Sequence, residues 1–534
     1  MEEIEGVVKE SVLEKDLEKR KKNLKNKLFS WVKDNYDKLF IFLLIAAFVI
    51  RLIIFIKTMN QPLWYDEASY LMASKQWGLG LDVRDIWYYR RGFLFPLICA
   101  AFFKLGLGEI SIRFMGILLS TGFVFVSYFI IRDMFSKKIA IFSSICLTFS
   151  WILLFFTGRI LTDIPAAFFI LLSLFFFWKG YVMKKGNKFI YLFALFFGLS
   201  VLIRMQSIML APPFLMMMFI KEKGKMFKNK SLWIALVIFA LIMLPQGILY
   251  SMHYGNPISD IFSHYLGIGE KAAAAGEQRT ISLAVLSYFA DLPYMMSTII
   301  FILLIIGAGY FLLDLILGFD QIFKNEDLQK KFFVFCWIIS LFLLIGYVAG
   351  TVSYVEQRYI TVGLPFLFLL SSVPLIKLSE FFKKKFKMKE ISSVIWVSIL
   401  LIILLVANIF GASNYNTTFS LLENKKSSYL EVEQAGLWLK ENSNPKDIII
   451  SASVTQIMYY SERTVQVFQE LGANETEFND NVTKTKPDYL MLSIFEQHDP
   501  WMYAYPQSHN DTLTPVQAYQ QDGKPVVVIY KFNF

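Results

Sequence analysis

Residues 39–57 read LFIFLLIAAFVIRLIIFIK, and Trp64-Tyr65-Asp66-Glu67 follow a few residues later. The first run is long enough to cross the hydrocarbon core of a bilayer, which takes about 20 apolar residues per helix. Two adjacent carboxylates on a loop are most often a solvated surface, but here further charged residues recur at the same membrane face. The stretch therefore predicts a membrane-spanning helix and, just beyond its end, a polar site.

The composition of the whole chain extends this prediction. Of 534 residues, 56% are hydrophobic and 53 are Phe, which is more apolar surface than a soluble domain of this length needs. Runs long enough, or nearly long enough, to span a bilayer number about eleven. They are 39–57, 111–131, 139–157, 163–178, 189–203, 207–220, 231–250, 294–317, 332–350, 361–376 and 391–411. The fold class predicted is an all-α polytopic membrane protein.

The distribution of charge predicts the topology. The net charge is +10, and basic residues concentrate in the N-terminal segment 1–38 and in every second loop, as at 221–230 and 377–389. This alternation follows the positive-inside rule, so it indicates a cytoplasmic N-terminus and not a nucleic-acid-binding surface. A crossing at 93–107 would reverse every later basic loop, so that segment is predicted to be an interfacial helix on the outer side.

The chain divides into three parts on these grounds. They are a basic cytoplasmic segment 1–38, a transmembrane domain 39–411 with a long outer loop 58–110, and a soluble part 412–534. In the last part, one amphipathic run and several short β-branched runs bounded by Pro, Asp and Gly predict a small α/β domain. An odd number of spans places this domain outside the cell, so we predict a multi-pass protein of the cell membrane.

Cysteine and histidine give little support for a metal. Cys99, Cys146 and Cys336 lie in apolar stretches, and no metal-binding or disulfide spacing is present. His253 and His264 share one predicted outer loop, so a divalent metal there stays open as an alternative to a site without an obligatory cofactor. No nucleotide-binding signature is found.

Ionisable side chains at a membrane edge are costly and indicate function. The outer face collects three carboxylates and a set of arginines, namely Asp66, Glu67 and Asp163 with Arg91, Arg113, Arg159, Arg204 and Arg358. Arginine presents a fork of donors suited to phosphate, and a carboxylate beside it can accept a proton from an incoming hydroxyl. These residues predict a site for a lipid phosphate donor and a polar acceptor.

Two simpler interpretations of single residues stay open. Arg113 and Arg204 can extend along the membrane edge to reach lipid headgroups. Asp163 precedes Pro165 at the start of a predicted helix, where a carboxylate is also a favourable cap.

The order of five motifs resembles the GT-C superfamily of polytopic glycosyltransferases. The motifs are Asp66-Glu67, the Arg-Gly-Phe-Leu-Phe-Pro run at 91–96, Ile112-Arg113-Phe114, the segment Gly158-Arg159-Ile-Leu-Thr-Asp163-Ile-Pro165, and Gln357-Arg358-Tyr359 followed by Leu364-Pro365. The chain is most similar to the branch that contains the protein O-mannosyltransferases and the aminoarabinose transferases, over residues 39–410. Where that family often has Lys-Pro-Pro or His-Pro-Pro, this chain has Arg90-Arg91-Gly92, with Arg91 as the candidate substitute for the lysine.

The resemblance implies an inverting enzyme that moves one sugar, mannose or a related hexose, from a dolichyl- or polyprenyl-phosphate carrier. It implies that Asp66 is the catalytic base with Glu67 beside it, that Asp163 is the second acidic residue, and that Arg113 and Arg159 lie near the donor phosphate. The acceptor stays open between a protein hydroxyl, a lipid-linked glycan and a lipid. A transporter or flippase of lipid-linked sugars is the alternative, disfavoured because the charged residues gather on one face.

Overall fold

The computed structural model describes residues 34–256, 284–349, 356–410, 418–496 and 499–534. Residues 1–33, which form most of the predicted cytoplasmic segment, and His264 lie outside this description.

Long apolar helices form the larger part of the molecule. In chain order they are α1 (Asn35–Thr58), α2 (Tyr65–Leu79), α3 (Leu94–Lys104), α4 (Gly108–Met134), α5 (Lys137–Thr148), α6 (Trp151–Thr157), α7 (Asp163–Phe177), α8 (Asn187–Ile203), α9 (Ala211–Glu222), α10 (Lys230–Tyr254), α11 (Ala284–Met296), α12 (Thr298–Leu317), α13 (Glu326–Ala349), α14 (Leu364–Lys385) and α15 (Glu390–Phe410). A π-helical turn, Trp178–Val182, extends α7, and 3₁₀ turns at Met205–Leu210 and Gln357–Gly363 precede α9 and α14.

The helices coincide with the predicted spans. Within the described residues, seven helical segments are long and apolar enough to cross a membrane, or eight if α5 and α6, which meet at 51°, form one bent span. The remaining predicted spans fall on α8, α9 and α15, and the predicted interfacial helix is α3, whose 11 residues are too few to cross. The fold confirms a multi-pass membrane protein.

The helix ends near the basic loops are fixed by polar caps. The carboxylate of Asp34 accepts hydrogen bonds from the backbone N–H groups of Tyr36 and Asp37 at the start of α1, at 3.0 and 3.2 Å. Lys137, at the start of α5, forms ion pairs with both Asp34 and Asp37. Because a cap satisfies N–H groups that the helix leaves unpaired, these contacts tie α1 and α5 together at this end.

Loop 58–110 folds into α2 and α3, which pack side by side. Glycine permits their approach, since a Cβ on Gly78 would lie 2.5 Å from the carbonyl oxygen of Ala100. A Cβ on Gly92, before α3, would lie 2.1 Å from the carbonyl oxygen of Leu202 at the end of α8. The loop is therefore packed directly on the ends of the membrane helices.

The C-terminal part is the predicted α/β domain. Its elements are α16 (Thr418–Lys425), α17 (Leu430–Asn442), β1 (Ile448–Ile450), α18 (Val454–Ser461), β2 (Thr464–Gln466), α19 (Phe468–Leu471), α20 (Glu475–Thr485), β3 (Tyr489–Ser493), α21 (Pro500–Ser508), β4 (Leu513–Gln521) and β5 (Lys524–Phe532). The strand order is β2-β1-β3-β5-β4, parallel from β2 to β3 and antiparallel from β3 to β4.

The sheet has a different partner on each face. Phe468, Phe478 and Tyr505 pack with Ile450 and Leu490 into a core that belongs to this domain alone. On the opposite face, α17 and α18 join a core that continues into the membrane helices. The C-terminal domain is therefore seated on the end of the membrane domain that carries α2.

Candidate active site

Asp66 lies in the first turn of α2 and faces two arginines. One carboxylate oxygen is 2.9 Å from Nη2 of Arg358, and the other is 3.3 Å from Nη2 of Arg91. Arg358 belongs to the 3₁₀ turn before α14, and Arg91 to the segment before α3. Three parts of the chain that are distant in sequence thus meet at one carboxylate, which keeps 28% of its side chain exposed.

Asp163 lies in the first turn of α7 and shares one arginine, Arg358, with Asp66. Its Oδ1 is 3.0 Å from Nη1 of Arg204, and its Oδ2 is 3.9 Å from Nη1 of Arg358. Among the described residues, no side chain makes a capping hydrogen bond at the start of α7, and the carboxylate of Asp163 contacts the arginines. Arg204 also donates a hydrogen bond to the hydroxyl of Thr162 at 3.2 Å. We call Asp66, Asp163, Arg91, Arg204 and Arg358 the cavity cluster.

The cavity cluster borders a cavity of 210 Å³ that is lined mostly by polar atoms. Beside Asp66 and three of the arginines, its walls include Tyr70, Tyr88, Arg90, Thr162, Gln206 and Tyr359. A smaller cavity of 40 Å³ adjoins it at Arg204 and Arg358, and there Asp163 faces apolar side chains of α7 and α13. The site therefore has a charged chamber and an apolar extension.

Three buried atoms of the cavity cluster have no hydrogen-bond partner among the described residues, namely Nη1 of Arg91, Nε of Arg358 and Oδ2 of Asp163. Nε of Arg358 still lies 3.0 Å from the carboxylate of Glu356 as an ion pair. A buried donor without a partner is costly, because its water has been removed and nothing replaces it. A bound anion would satisfy the guanidinium nitrogen.

The arginines keep Asp66 ionised. Burial acts to raise the pKa of Asp66, but the positive charges of Arg358 and Arg91, with a hydrogen bond from Arg358, outweigh it and lower the pKa below its usual value. The carboxylate is therefore an acceptor of protons at neutral pH, as a general base must be.

Glu67, the next residue, has different surroundings. Its side chain is 0% exposed. Its Oε1 accepts a hydrogen bond from the backbone N–H of Ile160 at 2.6 Å, and its Oε2 accepts one from the backbone N–H of Trp64 at 2.9 Å. Arg159 and Arg113 reach the same carboxylate at 3.2 and 3.6 Å. Glu67 does not line the cavity.

Arg113 and Arg159 hold the chain that leads to Asp66. Arg113 donates to the carbonyl oxygens of Gln61 and Gly158, both at 2.9 Å, and pairs with Glu109 at 2.7 Å. Arg159 donates to the carbonyl oxygen of Pro62 at 3.2 Å. We call Glu67, Glu109, Arg113 and Arg159 the buried cluster.

The structure places three of the predicted site residues away from the cavity. Arg113 and Arg159 were expected near the donor phosphate, and Glu67 beside the base in catalysis. In the structure their polar atoms are engaged by each other and by backbone groups, and none of the three lines the cavity. The two arginines stabilise the loop through its backbone carbonyls. A guanidinium that donates to two carbonyls has few donors left for a ligand.

Sequence reasoning did not single out two residues of the site. Tyr359 lies between two arginines, with its ring centre 5.1 Å from the guanidinium of Arg204 and 5.6 Å from that of Arg358. Its signal was its place in the Gln357-Arg358-Tyr359 motif. Gln246 of α10 donates to the carbonyl oxygen of Tyr89 at 2.9 Å and so fixes the segment that carries Arg91. A single glutamine in an apolar helix was its only sequence signal.

The open question of a metal concerns His253 and His264. The ring of His253 stacks on Tyr89 at 3.6 Å between centres, and His264 lies outside the described residues. In the described part of the chain, no three His, Cys, Asp or Glu side chains come together as a metal site.

Comparisons with known proteins place this geometry in a class. Residues 90–248 match the family described as dolichyl-phosphate-mannose-protein mannosyltransferase. The fold is similar to ArnT from Cupriavidus metallidurans bound to undecaprenyl phosphate, with a TM-score of 0.59, 14% identity, and coverage of 94% of this chain and 98% of that one. A search of curated protein sequences gives no match.

A second structural neighbour is the archaeal oligosaccharyltransferase AglB from Archaeoglobus fulgidus, in complex with an inhibitory peptide and a dolichol-phosphate. Its TM-score is 0.58 at 13% identity, covering 94% of this chain and 75% of that one. Fold and family match together confirm the class expected from the motif order, a multi-pass membrane glycosyltransferase of the GT-C superfamily. Within that class, the matched segment carries Arg91, Asp163 and Arg204 and is similar to the mannosyltransferase family.

Proposed function

We propose that this protein transfers a single sugar, mannose or a related hexose, from a dolichyl- or polyprenyl-phosphate carrier to an acceptor on the outer face of the membrane, with inversion at the sugar. The observation that carries the proposal is the cavity cluster, in which an ionised Asp66 lies beside three arginines in a polar chamber. The acceptor is a protein hydroxyl, a lipid-linked glycan or a lipid.

The arginines supply the donor side of the reaction. The cavity is lined by the guanidinium groups of Arg91, Arg204 and Arg358. Each guanidinium can donate two parallel hydrogen bonds to two oxygens of one phosphate. Nη1 of Arg91, which has no hydrogen-bond partner in the described part of the chain, can donate to such an oxygen. The structure of ArnT holds undecaprenyl phosphate and that of AglB holds a dolichol-phosphate, which is consistent with this donor class.

Asp66 supplies the acceptor side. Its carboxylate accepts the proton of the acceptor hydroxyl while the oxygen forms a bond to the anomeric carbon. The bond from that carbon to the phosphate oxygen breaks, and its electron pair leaves with the lipid phosphate. The arginines stabilise the charge that develops on the phosphate. Because attack and departure occur on opposite sides, the anomeric configuration inverts.

Asp163 has a positioning role in this scheme. It pairs with Arg204 and lies near Arg358, so it orients two of the phosphate-binding groups. A carboxylate that holds a guanidinium in one geometry reduces the entropy lost when the ligand binds.

The positions of the charged groups support a site on the outer face. Helix α1 has 24 residues and is about 36 Å long. Asp34, which binds the basic Lys137, lies at its start, whereas the chain reaches Asp66 only after its end. The site and the basic loops thus lie at opposite ends of α1, and the positive-inside rule assigns the basic end to the cytoplasm.

The test is sugar transfer in membranes supplied with radiolabelled dolichyl-phosphate mannose or its undecaprenyl counterpart, comparing the wild type with Asp66→Asn. Asparagine keeps the size and hydrogen bonding of the side chain but cannot accept the proton. We expect label to leave the lipid in the wild type and to stay there in the variant. Equal transfer by both proteins at the same expression level would remove Asp66 from the role of base.

A further inference from the structure

The backbone of residues 61–64 precedes Asp66 and belongs to neither a helix nor a strand, so each of its polar groups needs a partner from elsewhere. The membrane domain supplies some of them. The carbonyl oxygens of Gln61 and Pro62 accept from Arg113 and Arg159. Two groups of the buried residue Leu63, its N–H and its carbonyl oxygen, remain to be satisfied.

Helix α18 of the C-terminal domain satisfies both groups of Leu63. The hydroxyl of Tyr460 accepts a hydrogen bond from the N–H of Leu63 at 2.9 Å. Nε2 of Gln456 donates to its carbonyl oxygen at 3.2 Å. Gln456 and Tyr460 are four residues apart and so share one face of the helix. The hydroxyl of Thr455 donates to the carbonyl oxygen of Tyr65, the first residue of α2, at 3.1 Å.

These three side chains are buried, with 4% exposure for Thr455, 1% for Gln456 and 8% for Tyr460. Their hydrogen bonds are therefore shielded from water, and a lost partner there is not replaced by solvent. Oε1 of Gln456 has no hydrogen-bond partner among the described residues, so its amide contributes here through the donor alone.

Other contacts between the same two regions keep α18 in place. Lys75 of α2 pairs with Glu462 at 2.9 Å, just beyond the end of α18. Arg84 pairs with Glu470 of α19. The hydroxyl of Tyr459 donates to Glu109 of the buried cluster at 3.1 Å. The domain is thus fixed on loop 58–110 on both sides of the Leu63 contacts.

We propose that Tyr460 and Gln456 are positioning residues for the transfer reaction: by binding both backbone groups of Leu63, they fix the start of α2 so that Asp66 faces Arg91 and Arg358. This inference rests on the proposed function and gives the C-terminal domain a part in it. A general base works only within hydrogen-bonding distance of the proton that it removes. A displacement of about 1 Å costs up to 100-fold in rate.

The test compares Tyr460→Phe and Gln456→Met with a matched control, Tyr505→Phe. All three remove one buried hydrogen-bonding group from the C-terminal domain at nearly constant volume. The hydroxyl of Tyr505 donates to Asn479 at 2.9 Å, entirely inside the domain. The readouts are kcat and donor KM with radiolabelled dolichyl-phosphate mannose, and amide hydrogen exchange in peptides that begin well before residue 63 and contain it, labelled in the full-length protein.

We expect Tyr460→Phe and Gln456→Met to lower kcat roughly tenfold with a nearly unchanged donor KM, and to speed exchange at residue 63. Tyr505→Phe should change neither. If Tyr460→Phe and Gln456→Met match the control in both readouts, the positioning role is wrong. If the wild type transfers no sugar from any carrier tested, the proposed function fails, and exchange at residue 63 alone decides whether α18 holds this segment.

Discussion

Asp66 and Glu67 are neighbours in the chain, yet one belongs to the cavity cluster and the other to the buried cluster. Both clusters combine carboxylates with arginines. Among the residues that the structure describes, a guanidinium nitrogen of Arg91 in the cavity cluster has no hydrogen-bond partner beside a polar chamber, whereas Arg113 in the buried cluster is engaged by carbonyls and carboxylates. The comparison shows that residue type predicts where charged groups gather, whereas the hydrogen-bond partners of each group, which only the fold reveals, distinguish the two clusters.

The largest expected effect is that of Asp66→Asn on catalysis. Loss of a general base lowers kcat by about 10³-fold. The folded protein should lose only the modest stability of the Asp66 ion pairs, because the side chain is partly solvated and Arg358 retains Glu356 and Asp163 as partners. Transfer rates and thermal unfolding of the purified variant check this. If the variant is inactive only because it unfolds, Asp66 has a structural role like that of the buried cluster.

Glu67→Gln should act mainly on stability. Removing the charge leaves Arg113 and Arg159 buried without their shared carboxylate, and breaking a buried ion pair costs about 3–5 kcal/mol. We expect a lower unfolding temperature and lower yield, with transfer retained by the molecules that fold. A Glu67→Gln protein of wild-type stability that transfers no sugar would show that Glu67 takes part in catalysis and that the buried cluster is not purely structural.

The arginines allow the same contrast for donor binding. Arg91→Lys should raise the donor KM roughly tenfold, because lysine cannot present two parallel donors to a phosphate. Arg113→Lys is the matched substitution in the buried cluster, and it should lower stability while leaving the donor KM unchanged. The measurement is transfer at varied donor concentration. A higher donor KM in the Arg113→Lys protein, with no change in the Arg91→Lys protein, would reverse the assignment of the clusters.

The pKa of Asp66 predicts a pH dependence. Despite the opposing effect of burial, Arg358 and Arg91 lower this pKa below the ordinary value of 3.8, so the base stays ionised down to that pH. The stability from its ion pairs is likewise present above pH 3.8 and lost as the pH falls through the lower, folded-state pKa. We expect kcat/KM to show no loss from protonation of Asp66 between about pH 5 and 7. A fall with an apparent pKa in this interval that disappears in Glu67→Gln would assign the base to the other cluster.

The smallest effect concerns Glu433 of α17, near the buried cluster. Burial and the negative charge of Glu109 raise the pKa of Glu433 from 4.5 to about 7, against the opposing effect of Arg113. The folded protein therefore binds the proton more tightly, so stability falls as the pH rises from 4.5 toward 7. Glu433→Gln should flatten this dependence without changing kcat. Unfolding temperatures measured across the interval provide the test, and identical slopes for variant and wild type would contradict it.

The sequence predicted the helices well because apolar runs of this length have few other stable arrangements. The sequence also predicted one site that contains Asp66, Asp163, Arg91, Arg204 and Arg358. It could not separate these arginines from Arg113 and Arg159, since all five lie at the same membrane edge. The two groups of arginines differ in their hydrogen-bond partners, since Arg113 binds the backbone carbonyls of Gln61 and Gly158. Spacing along the chain does not predict such contacts.

The hydrogen bond between Leu63 and Tyr460 joins residues 397 positions apart, which has a consequence for biosynthesis. A chain is made from its N-terminus, so the segment before Asp66 enters the membrane long before α18 has left the ribosome. Until then, Leu63 lacks both of its partners, and the start of α2 is not yet fixed. The carboxylate of Asp66 thus reaches its final position at one of the last steps of maturation, and a chain interrupted before α18 carries every charged residue of the cavity cluster without the contacts of α18 with Leu63.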